Sequence, residues 1–167
     1  MRSQDVLIDG YGRIQEEVHA VVGGLSADDL HARPGDGEAN SIAWLVWHLT
    51  RVQDDHIADA AGIEQVWLAQ GWADRFDLPL AQADTGYGHT SKQVGQVRVA
   101  SGGLLLDYYD AVHEQTLGYL GKLDGKALDR VVDVRWDPPV TLGVRLVSVL
   151  GDDLQHVGQA AYVRGLL

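Results

Sequence analysis

Asp152 and His156 stand four residues apart in "GDDLQHVGQAAYVRG", which runs from Gly151 to Gly165. On a helix, residues i and i+4 have Cβ atoms about 5–6 Å apart, so both side chains can reach one ion. The two histidines of the H-E-x-x-H metal motif use the same spacing. The simpler reading is an Asp–His ion pair on a solvated face. A helical wheel puts His156 beside Val149 and Ala160, at the edge of the apolar arc. Asp152 lies one step toward the polar side and Asp153 nearer the arc's centre, so either aspartate could be the inward carboxylate. His48 lies in "SIAWLVWHLTRVQDDHI", flanked on its face by Leu45 and Val52. Alone, it reads as a hydrogen-bonded core histidine. Together, His48, Asp152 and His156 form a His-His-Asp set suited to a divalent transition metal, zinc or nickel, and three protein ligands leave a position for water or substrate. His56 follows His48 by two turns, about 12 Å at 1.5 Å per residue, so the two cannot share one ion. It is expected at the rim or surface.

Four helical segments must position these groups. The first is expected over 6–22, where Leu7, Tyr11, Ile14, Val18, Val21 and Val22 keep a stripe that Gly23 and Gly24 end. "LSADDL" then has Ser26 and Asp29 at capping-box spacing. The second helix is expected over 41–61, entered at Asn40 or Ser41 and stopped by Gly62. The third is expected over 103–123. The fourth is expected over 141–165, with Pro138 and Pro139 at its entrance. "DRVVDVRW", just before it, reads either as a short extended piece or as an irregular loop. About 40 residues separate helices two and three, far more than an ordinary bundle connection, so a crossover is natural. Trp67, Trp72, Phe76 and Tyr87 in that link could wall a pocket or pack the crossover onto the helices. Its "TGYGHTSK" resembles a phosphate loop only loosely, since no strand precedes it.

The chain has 167 residues, 46% of them hydrophobic and 22% charged, enough for one domain over 1–167 with a real core. The absence of cysteine excludes disulfides, thiolate ligands and a cysteine nucleophile. The formal charge of −11 argues against nucleic acid, which is bound through phosphate-contacting cations, and against an anionic membrane surface. No run is long enough to span a bilayer and no signal-peptide pattern opens the chain, so a cytoplasmic location is expected.

"NSIAWLVWHLTRVQDDHIAD" and "VTLGVRLVSVLGDDLQHVGQAAYVRGLL" resemble the DinB/YfiT-like metalloenzymes. "GLSADDLHARP" and "EQVWLAQGWADRF" are similar to one branch of that family, and the likeness covers nearly the whole chain. The resemblance implies an all-α four-helix bundle of up-down-down-up topology, with the long crossover between helices two and three. It implies a metal held by His48, Asp152 and His156. Many members have histidine where this chain has Asp152. The related mycothiol-dependent maleylpyruvate isomerase has glutamate there, and aspartate is one methylene shorter. Because the family includes thiol-dependent transferases and isomerases, the resemblance further implies a metal that activates a low-molecular-weight thiol cosubstrate, or water, against a small-molecule substrate. Two other readings stand beside it: a non-catalytic bundle that binds metal or ligand, and a metal-dependent hydrolase with Asp55 or Asp153 as general base. The resemblance and the amount of apolar helical surface also lead us to expect a homodimer.

Overall fold

A computed structural model describes residues 2–167, and the chain is mostly helical. The helices are α1 (Ser3–Val22), α2 (Ala27–His31), α3 (Ile42–Ala61), α4 (Val66–Ala69), α5 (Trp72–Phe76), α6 (Ser91–Val94), α7 (Gly102–Leu120) and α8 (Leu142–Arg164). The long helices α1, α3, α7 and α8 match the four expected stripes, although α7 stops at Leu120, short of the expected 123. "DRVVDVRW" contributes a strand, β1 (Val131–Asp133), which pairs antiparallel with β2 (Val140–Thr141). Among the described residues no helix is long and apolar enough to cross a membrane.

Local chemistry sets the ends of the two helices that matter most. Ser41 caps α3, its side chain accepting from the Trp44 N–H at 3.1 Å, and Gly62 ends it in the left-handed region at φ 68°. Thr141 caps α8 in the same way, accepting from Val144 N–H. The capping box at Ser26 and Asp29 forms as its spacing predicts.

Helix α3 packs against both α7 and α8, and α1 also packs against both. The face of α3 marked by Leu45, His48 and Val52 understates its burial, because Trp44, Trp47, Arg51 and Asp54 are buried as well. The crossover covers that second face. Asp54 accepts from the Val66 and Trp67 N–H groups at 2.9 and 2.8 Å and from the Tyr108 hydroxyl at 2.9 Å. Arg51 is fully buried 3.6 Å from Asp54 and donates to Gln65 and to the Asp84 carbonyl. A buried charge of this kind survives only when paired and hydrogen-bonded, so the link is tied firmly to α3. Trp67 packs on Tyr108 and Phe76 at centroid distances of 5.1 and 5.2 Å.

Candidate metal centre

His48 sits two turns into α3, while Asp152 and His156 sit about three and two turns before the end of α8. The α3–α8 packing brings them together: one ligand atom from each lies within 4.8 Å of the others. The two imidazoles stand 4.8 Å apart between centroids, at 71°. His156 Nε2 lies 3.7 Å from Asp152 Oδ1, and its Nδ1 faces Gln159 Oε1 at 3.0 Å. Asp152 Oδ2 is buried without a hydrogen-bond partner. An orphaned carboxylate oxygen beside two imidazoles is what a cation would satisfy, so the donor set fits a divalent transition metal.

The crossover aims His48. Its Nδ1 hydrogen-bonds the Thr85 carbonyl, so Nδ1 carries the proton and Nε2 keeps its lone pair for an ion. The loop from Asp84 to His89 holds that carbonyl in place. Asp84 accepts from the Gly86 N–H at 2.8 Å and from His89 Nε2 at 2.9 Å, and the Trp44 indole donates to His89 Nδ1 at 3.1 Å. The Trp44 ring stacks on His48 at 4.6 Å. Gly86 has φ +91°, and a Cβ there would lie 2.7 Å from His48 Nδ1. The glycine-rich stretch that only loosely resembled a phosphate loop is therefore the support for an imidazole. Burial pushes the His48 pKa below its ordinary value, which favours the neutral form an ion needs.

Asp153 does not join the cluster. It is fully buried, neither of its carboxyl oxygens has a partner, and burial beside the charge of Asp152 pushes its pKa well above the usual carboxylate range. The inward aspartate by helical wheel thus faces the core, and the one at the edge faces the site.

A cavity of about 540 Å³ opens from His48 and Asp152 and reaches Asp55, His56, Asp133 and Arg145. Of the link aromatics, Tyr87 alone lines it. Trp67, Trp72 and Phe76 are buried in the core instead. Trp136, from the β1–β2 connection, supplies a wall that sequence reasoning missed. So do Asp133 and Arg145, joined at 3.4 Å. His56 is half-buried and lines the cavity, consistent with the expected rim position, with its Nδ1 3.2 Å from Arg145.

The profile of the DinB superfamily matches residues 11–160. The chain belongs to the DinB superfamily. It is also similar in structure to a conserved protein of Enterococcus faecalis solved by crystallography, at 32% identity and a TM-score of 0.92, covering 99% of this chain and 97% of that one. No curated protein matches it.

Proposed function

We propose that this DinB-superfamily chain binds one divalent transition metal, zinc or nickel, through His48, Asp152 and His156. We further propose that it uses the adjoining cavity to react a small electrophile with a low-molecular-weight thiol or with water. The observation that carries this reading is the meeting of three donor atoms within 4.8 Å beside a cavity of about 540 Å³ that His48 and Asp152 line. An ion bound there supplies a Lewis acid that lowers the pKa of a thiol or water and polarises a substrate oxygen. The chain's own contribution is orientation: Thr85 fixes the His48 tautomer, Gln159 engages His156 Nδ1, and Val52, Tyr87 and Trp136 line the adjoining cavity.

The same reading takes the four long helices as an up-down-down-up bundle. Tyr11 bonds the Leu146 carbonyl and Arg164 the Val21 carbonyl, which fits α1 and α8 running the same way. Gln53 bonds Thr116 and Tyr119 the Ala60 carbonyl, which fits α3 and α7 running the same way. We also propose a homodimer, supported by the uncharged outer face of α8.

Metal titration followed by a thiol and electrophile screen tests the reading. Stoichiometric zinc or nickel binding and metal-dependent consumption of at least one thiol–electrophile pair are expected. A protein that takes up neither ion at micromolar concentration would refute it.

A further inference from the structure

We infer that the part of the cavity at His56 and Arg145 binds the uncharged carbonyl oxygen of a small, largely apolar molecule, so that the substrate is a carbonyl compound lying lengthwise between His56 and the metal centre. The inference rests on the proposed metal site for the reacting end only. The His56 end stands on its own hydrogen bonding.

Arginine cannot accept a hydrogen bond and does not lose its proton in proteins. The 3.2 Å contact between Arg145 Nη1 and His56 Nδ1 therefore has one direction: arginine donates and Nδ1 accepts. His56 must then be neutral with its proton on Nε2, and burial together with the Arg145 charge favours that form. Among the described residues no partner meets Nε2, and it is not among the sealed-off buried atoms. It is a donor of fixed polarity at the cavity.

The other polar groups at this end are already engaged. Arg145 bonds Asp59 at 3.2 Å and Asp133 at 3.4 Å. Asp133 also takes both the backbone and the guanidinium of Arg135, at 2.7 to 2.9 Å. Asp55 accepts from Gln65, and Ser148 donates to the Val144 carbonyl. The open donor calls for an acceptor. With Arg145 and Arg135 matched by Asp133 and Asp59, no spare positive charge remains to hold an anion, and a cation at His56 itself would meet an N–H donor, leaving Asp55 as the one carboxylate without a cationic partner at this end. A neutral carbonyl meets the requirement. Val52, Val140, Val144 and Val149 give its hydrocarbon body an apolar wall.

Three probes sharing one phenyl-alkyl body separate the alternatives: 4-phenylbutan-2-one, 3-phenylpropanoate and 3-phenylpropylamine. Each is titrated into metal-free protein by ligand-observed NMR, so the result does not depend on the metal reading, which zinc titration tests separately. The ketone is expected to bind at least tenfold more tightly than the acid or the amine. His56→Ala should lower ketone affinity about tenfold. His56→Gln, whose amide can accept from Arg145 and still donate, should restore most of it, and both variants are checked by thermal melting. Nitrogen-15 shifts of the wild-type imidazole should show the proton on Nε2. A preference for the acid or the amine, no binding of any probe at millimolar concentration, an unaffected His56→Ala variant, or a proton on Nδ1 would each overturn the inference.

Discussion

Asp152 and Asp153 share a peptide bond and differ in what they can do. Asp153 is sealed among core side chains, where burial pushes its pKa well above the usual carboxylate range, whereas Asp152 has one oxygen with no partner and the other 3.7 Å from the His156 imidazole. A surface Asp–His pair would contribute at most about 1 kcal/mol, so its loss would hardly register. A ligand set behaves differently, because affinity depends jointly on all its members. His48→Ala and His156→Ala should each abolish stoichiometric zinc binding in calorimetric titration. Asp152→Ala should weaken it, while Asp152→His should preserve or tighten it. Asp153→Asn should leave zinc affinity within about twofold of wild type, a difference of about 0.4 kcal/mol. If Asp153→Asn instead lost the ion and Asp152→Ala kept it, the ligand assignment would be reversed.

At the scale of elements, the crossover and the β1–β2 ribbon do the positioning. Gly86→Ala would add a Cβ 2.7 Å from His48 Nδ1 at a positive φ, displacing the loop that carries the Thr85 carbonyl. Losing such a support typically lowers metal affinity about 10- to 100-fold, and a loss in that range is expected by titration, with the metal-free variant still folding cooperatively. An affinity equal to wild type would remove the loop from the site. In the ribbon, the Arg135 side chain and backbone hydrogen bonds, with Arg145 beyond, hold the Asp133 carboxyl well below its usual pKa. A depressed folded-state pKa stabilises above the unfolded value of about 3.9 and loses that contribution as pH falls toward the folded value. The melting-temperature gap between wild type and Asp133→Asn should therefore be widest above about pH 5 and close as pH drops below about 4. A gap independent of pH would show that the pairing contributes nothing. These two devices also mark the limit of what the sequence discloses. The i, i+4 pair on α8 and the histidine of α3 are legible because helix geometry converts spacing into a shared face. Thr85 acts through a backbone carbonyl, which has no residue-type signature. Arg145, Asp133 and Trp136 come to line one cavity with His56 only through a ribbon register and a helix contact set by long-range packing. The burial of Trp44, Trp47 and Arg51 follows from the crossover covering a second face of α3, which periodicity along one helix cannot reveal.

For the molecule as a whole, charge and apolar surface oppose one another. A formal charge of −11 makes two copies repel. Yet the outer face of α8 carries no charge: Val147, Leu154 and Tyr162 are 60%, 49% and 70% exposed, with Val144 beside them and Gly151 and Gly158 between. A Cβ at either glycine would meet nothing within 4 Å, so the face is open and shallow enough for close approach. Contiguous exposed apolar surface of this kind marks an interaction site, and a twofold interface lets one patch serve both partners. A second copy fits it better than a charged partner, because the patch offers no countercharge. Light scattering at micromolar concentration should give twice the mass of the chain, and the dimer should strengthen with added salt as the mutual repulsion is screened. Leu154→Lys should shift the mass to the monomer while leaving zinc affinity unchanged, since Leu154 points away from the Asp152 and His156 face. A monomeric mass for the wild type at about 100 μM, far above a nanomolar-to-micromolar dissociation constant, would sink the dimer without touching the metal site.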